Sequence, residues 1–298
     1  MRRYWRLARR FGAISLLLCV WIAFAAAQAA VPVPMKAVAA ENFYGDIIQQ
    51  IGGNRVSVTS ILSDPNVDPH EYESNVADAK AIADARLVVE NGGGYDDWMD
   101  KLLSASANGD RTVLKGFDLA VYKLPDNEHV WYNVDNVSAI GRAITSALDA
   151  ADPAGRRTYE ANLRLFQNSL VKIKAKIAQI KTRHAGTPVG LTETIFLYQS
   201  EPLGFKMLTP FEFQKAIAEG NDPPAETVIE AEQQITDKRI KVLIYNEQTV
   251  TPLTTKLEDE AKAQGIPIVP VTETMPSVLN YQNWMLAQLN ALDAALGK

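Results

Sequence analysis

The sequence predicts an α/β protein of two lobes, each a mostly parallel sheet flanked by helices, joined by a single long helix. Three observations predict this. From Met35 onward, short apolar runs alternate with amphipathic stretches, the pattern of β-α-β units whose crossovers make neighbouring strands parallel. The same alternation resumes after Gly186-Thr187-Pro188. Between the two halves runs one apolar stripe, Tyr159, Leu163, Phe166, Leu170, Ile173, Ile177 and Ile180, at spacings of four and three. About thirty residues at roughly 1.5 Å each make a rod of about 45 Å, long enough to run the height of two small domains. The chain thus divides into a leader of residues 1–29, an N-terminal lobe of 30–151, a linking helix of 152–185 and a C-terminal lobe of 186–298.

The leader carries five arginines and no acid in its first ten residues, then an apolar run over 13–27 and the small-residue pattern Ala27-Gln28-Ala29. This is the layout of a cleaved secretory signal; the apolar run is too short and wrongly flanked for a membrane span. Arg9-Arg10-Phe11 matches a twin-arginine signal only loosely, so the general secretory route is expected. Cys19, the single cysteine, follows Leu18 where a lipid-attachment site needs a small residue, so no lipid anchor is expected. The mature chain then has no thiol, which excludes disulfides, thiolate metal sites and cysteine nucleophiles. Without the leader arginines it holds 25 basic against 35 acidic side chains, a net charge near −10. Such a chain is unsuited to nucleic acid or anionic membrane and suited to attracting cations.

In the first half, strands are expected over 36–40 and 56–62 around a helix over 43–51. Ser74 is placed to cap a helix running to Ala85, and residues 87–90 form the next strand. Gly92-Gly93-Gly94 lacks the Gly-x-x-x-x-Gly-Lys-Ser/Thr spacing of a phosphate loop and reads as a turn into a helix bearing Trp98, Met99, Leu102 and Leu103. A short strand at 113–114 and a helix over 133–149 complete the lobe. Asp152-Pro153 reads as cap and first residue of the linking helix, whose other face, with Arg164, Lys172, Lys174, Lys176 and Lys181, is expected to be solvated. His184 is expected to be exposed near its C-terminus, where the dipole favours a cation.

The second half predicts strands over 189–192, 240–245 and 267–271, with helices over 195–200, 225–236 and 252–264. Gly220-Asn221-Asp222-Pro223-Pro224 is a loop, and a last helix carries Val278, Tyr281, Met285, Leu289, Leu292 and Leu296 on one face.

The chemistry lies in the loops. His70 stands in Asp68-Pro69-His70-Glu71-Tyr72-Glu73, where prolines stiffen the chain and keep the residues before them out of helix. His129 stands in Asn127-Glu128-His129-Val130-Trp131, again between elements. A neutral imidazole in an acidic loop is a ligand for a divalent transition metal, and strand-to-helix loops of an open α/β sheet collect where ligands bind. Glu193, in Leu-Thr-Glu-Thr-Ile-Phe-Leu-Tyr, and Glu273, in Val-Thr-Glu-Thr-Met-Pro, each directly follow an apolar strand of the second half. Singly, these are ordinary surface histidines and helix-capping acids; together they offer two ligands from each lobe.

With these positions in view, the whole mature chain resembles the periplasmic metal-binding proteins of bacterial zinc and manganese ABC importers, the cluster with two lobes joined by one rigid helix. The resemblance rests on Asp68-Pro69-His70, on His129-Val130-Trp131, on Glu193 before Phe196-x-Tyr198, and on Glu273 after Thr272. It implies a metal site between the lobes with His70, His129, Glu193 and Glu273 as ligands. The cargo would be a divalent transition ion, manganese or zinc with iron admissible, delivered to the membrane permease of an ABC importer by a periplasmic, monomeric, non-enzymatic protein. The chain departs from the pattern in having glutamate in place of aspartate at 273, Asn133-Val134 in place of Asp-Pro, and no histidine-rich loop. Glu247 is the rival for the fourth position. The alternative functions are a siderophore- or corrinoid-chelate binder of the same fold and a secreted metallohydrolase. The second lacks a His-Glu-x-x-His helix and a spare histidine to act as base.

Overall fold

The computed structural model describes residues 33–64, 67, 72–106 and 108–297. The expected leader with Cys19, and the ligand candidate His70, lie outside the described residues. The first sheet is formed by β1 (Met35–Glu41), β2 (Val56–Leu62), β3 (Leu87–Glu90) and β4 (Thr112–Lys115), all parallel, in the order β2-β1-β3-β4. Its helices are α1 (Asn42–Gly52), α2 (Val76–Asp84), α3 (Trp98–Ala105) and α4 (Val134–Ala151). The long helix α5 (Arg156–His184) leads to the second sheet: β5 (Pro188–Leu191), β6 (Lys206–Met207), β7 (Leu243–Asn246) and β8 (Ile268–Val271). These strands too are parallel, in the order β6-β5-β7-β8, so both halves place their first strand beside their third. The helices of this half are α6 (Leu197–Leu203), α7 (Phe211–Ala218), α8 (Ala225–Thr236), α9 (Pro252–Ala263) and α10 (Tyr281–Leu296). Among the described residues no helix is long and apolar enough to cross a membrane.

The stripe on α5 behaves as its spacing predicts: Tyr159, Phe166, Leu170, Ile173 and Ile180 are buried in a core that continues from the first sheet into the second. The junction is aromatic. Phe43 of α1 stacks on Trp131 at 4.6 Å and on Trp284 of α10 at 6.0 Å, so a ring from each half flanks it. Aromatic pairs contribute about 0.5–1.5 kcal/mol each beyond the area they bury.

Several local expectations are corrected. The cap of α2 is Asn75, not Ser74: its side chain accepts from the N–H groups of Ala77 and Asp78, and Asp78 returns the bond in a capping box. Asp152 does not cap α5. Its carboxylate accepts instead from Arg55 Nε and the Tyr159 hydroxyl, each at 2.7 Å, while residues Pro153–Gly155 make a 3-10 turn ahead of the α-helix. A charge-assisted bond outweighs a backbone cap. The basic face of α5 is not wholly solvated, and His184 is not exposed. Because α10 packs along α5, Asp293 meets Lys176 at 2.8 Å, pairs with Arg183, and lies 3.6 Å from His184 Nε2, whose side chain is only 17% exposed. Val278 stays outside the last helix, which begins at Tyr281 with Asn280 as cap. The short pair β6 and α7 has too few residues to show a period and was not foreseen.

Candidate metal centre

In each sheet the strand order reverses between the first and third strands, β1/β3 and β5/β7, and in open parallel sheets ligands bind beyond the carboxyl ends of the strands. Glu193 stands two residues past β5 and Glu273 two residues past β8; His129 lies on the connection from β4 to α4. The fold brings these three together. Each offers a ligand atom within 4.8 Å of the others, and all three are at most 1% exposed. Glu247, the rival to Glu273, is exposed and is not a member of the cluster.

The surroundings orient each group. Asn127 Oδ1 accepts the backbone N–H of His129 and lies 3.0 Å from its Nδ1, while the Asn127 amide donates to the carbonyl of Thr194 at 2.8 Å. The amide is therefore fixed with its oxygen toward the ring, an arrangement that favours the tautomer with its proton on Nδ1. Trp131 and Tyr95 pack edge-on against the imidazole, at 5.2 and 5.8 Å between centroids. Asn127 also links the loop of His129 to the residue after Glu193, tying one ligand segment of each lobe to the other.

Glu273 is held on every side. Its Oε2 accepts from the Tyr95 hydroxyl at 2.8 Å and its Oε1 from the Asn246 amide at 2.5 Å. Its backbone N–H donates to Gln248 Oε1 at 2.7 Å, and the same glutamine's amide donates to the carbonyl of Val67 at 3.0 Å. One side chain thus ties Val67 to the peptide of Glu273. The Tyr95 phenol is held well above its ordinary pKa by burial first and then by the charge of Glu273, so it stays a neutral donor.

Behind the cluster lies a second set of acids at strand ends. Glu41 closes β1 and Glu90 closes β3, both buried, with Asp96 beyond. Burial pushes the Glu41 carboxyl well up, and the neighbouring Asp96 and Glu90 add to this. Asp96 in turn accepts from the N–H groups of Asn91 and Gly92, each at 2.6 Å. Glu90 is raised to about 7 by burial, against the pull of Lys115 at 3.0 Å.

The sequence of the chain matches the family model of the zinc-uptake complex component A, periplasmic, over residues 37–295. The chain belongs to this family. Among family-type relatives, it is 28% identical over 176 residues to the manganese-binding lipoprotein MntA of Halalkalibacterium halodurans, covering 57% of this chain and 58% of that protein. It is 29% identical over 174 residues to the manganese ABC transporter substrate-binding lipoprotein PsaA of Streptococcus mitis, covering 54% and 56%. The matched stretch thus spans a little over half the length of these curated relatives. The fold is that of the periplasmic zinc-binding protein TroA from Treponema pallidum, with a TM-score of 0.76 at 18% identity over 89% of this chain and 99% of that one. A periplasmic metal-binding protein from Candidatus Liberibacter asiaticus superposes with a TM-score of 0.70 at 22% identity, over 87% and 98%.

Sequence reasoning named the three clustered ligand candidates and missed what holds two of them. Asn127 was visible only as part of a motif. Tyr95, Asn246 and Gln248 carried no signal beyond lying at strand ends, the edge on which such folds bind.

Proposed function

We propose that this chain is the extracytoplasmic solute-binding component of an ABC importer, capturing a divalent transition metal, manganese or zinc, and handing it to the membrane permease. The ligands in this reading are His129, Glu193 and Glu273, with His70, which lies outside the described residues, as the fourth. One observation carries it: an imidazole and two carboxylates, each from a different strand-end connection, converge within 4.8 Å with all three side chains buried. Two carboxylates and neutral imidazoles bring a charge of about −2, which a divalent ion cancels, so a dry site becomes electrostatically balanced on binding.

The names of the relatives support the class of cargo: manganese for two of them, and iron for the ABC transporter substrate-binding lipoprotein MtsA of Streptococcus pyogenes. Oxygen donors admit harder ions such as manganese, and zinc binds most nitrogen and oxygen sites tightly by intrinsic order, so geometry and supply select the cargo. The reading assigns no catalytic step and no nucleic-acid partner. It places the protein in the periplasm as a monomer, with lobes at 30–151 and 186–298 and the linking helix limiting their motion to small tilts. Elemental analysis of the protein as purified, followed by titration of the apo protein with manganese and zinc, tests it. One equivalent of metal, abolished by His129→Ala, is expected; no uptake of either ion overturns it.

A further inference from the structure

The triple glycine, which as a phosphate loop has the wrong spacing, shapes a bracket around the candidate metal centre. Gly92, Gly93 and Gly94 all have positive φ, and a Cβ on Gly93 would come within 2.7 Å of the Phe117 ring. The turn is then stapled by Asp96, which accepts the N–H groups of Asn91 and Gly92. From it two side chains reach the two ligand segments. Asn91 donates to the carbonyl of Glu128, the residue before His129, at 3.0 Å. Tyr95, 2% exposed, crosses from the N-terminal lobe to donate to Glu273 Oε2 in the C-terminal lobe.

The segment around Glu273 is held from the N-terminal lobe at its other residues too. The Tyr132 hydroxyl donates to the Thr272 carbonyl at 2.7 Å, and the Asn42 side chain pairs with both backbone groups of Met275, at 2.6 and 2.9 Å. Of these contacts, Tyr95 is the one made to the carboxylate itself. We infer that Tyr95 is a positioning residue for metal retention: from the N-terminal lobe it sets the orientation of the Glu273 carboxylate, so that drawing the lobes apart removes this support and speeds release of the ion. The inference rests on the metal-binding reading above and adds to it the residue through which lobe contact governs release.

A double-mutant cycle on the rate of zinc loss to a chromophoric chelator tests this, using the full mature chain loaded with zinc. Tyr95→Phe deletes one hydroxyl, and removing a partner of this kind typically costs a metal ligand 10- to 100-fold in affinity. The expected result is a rise in dissociation rate of about 10-fold or more for Tyr95→Phe, a larger rise for Glu273→Ala, and no further rise when the two are combined. A change within twofold in Tyr95→Phe overturns the inference, as does an equal effect of Tyr95→Phe in the wild-type and Glu273→Ala backgrounds, which marks a merely structural role. If Tyr95→Phe does not fold, Tyr95→Gln takes its place in the same cycle, since its amide lacks the reach of the phenol. Wild-type protein that takes up no zinc or manganese would instead sink the metal-binding reading, and the inference with it; wild-type uptake with an unresponsive Tyr95 sinks the inference alone.

Discussion

Replacing Glu193 with Gln separates the stability of the metal-free protein from its capacity to bind. Glu193 and Glu273 are both buried and offer oxygens within 4.8 Å of each other. At an effective dielectric of about 20, two unit charges at that distance repel by about 3 kcal/mol. Glu193→Gln removes one charge at nearly constant shape. The apo variant is therefore expected to melt above the apo wild type by up to roughly 6–12 °C, at about 2–4 °C per kcal/mol. Metal reverses the order. Ligand at 100 times Kd stabilises the native state by about 2.7 kcal/mol, a gain expected for the wild type and absent or much smaller for the variant. Differential scanning fluorimetry with and without zinc reads both effects on the same samples. An apo variant no more stable than apo wild type, beside a wild type that does respond to metal, would refute the electrostatic argument for this site.

Asn127→Ala removes the amide that faces the His129 ring and is expected to weaken metal affinity about 10- to 100-fold by calorimetric titration, and, by leaving the Thr194 carbonyl and the His129 N–H without this partner, to cost about 1–3 kcal/mol of apo stability. Metal binding is expected to weaken as pH falls through roughly 6.5, where protons compete for imidazole, and to release protons into weakly buffered solution; an affinity constant between about pH 5 and 7.5 would contradict imidazole ligation. Glu41 has a folded-state pKa above its unfolded value, so the native state binds this proton more tightly; the stability it contributes is present below the unfolded value and lost as pH rises through the folded one. Glu41→Gln is neutral at every pH, so its urea midpoint is expected to gain on the wild type as pH rises above the ordinary carboxyl range, and parallel pH profiles would count against a protonated Glu41.

Much of this protein was legible along the chain because the relevant physics is local. The period of four and three on the linking helix, the repeated strand-helix alternation and the start of α4 near residue 133 all follow from neighbours a few residues apart, and the two sheets and the long helix between them follow from those. The types of the ligand candidates were legible as well, since a glutamate directly after an apolar strand lies by construction on the binding edge of a parallel sheet and a histidine between elements lies on a connection. Interactions across large sequence separations were not legible. His184 was expected in solvent and sits beside Asp293, because α10 returns along α5; Asp152 was expected to cap a helix and instead meets Arg55, far back in the chain. Glu247 and Glu273 follow neighbouring strands, and Glu247 stands in the sequence only as the rival to Glu273; the path of each connection buries Glu273 and exposes Glu247. The sequence by itself determined two parallel sheets, their order of elements and a set of metal-capable side chains at their edges, because periodicity and strand ends are properties of short segments. The tertiary structure alone decided which of those side chains converge, and that Tyr95 from one lobe holds Glu273 in the other, because a hydrogen bond spanning 178 positions depends on how the two sheets are set against each other.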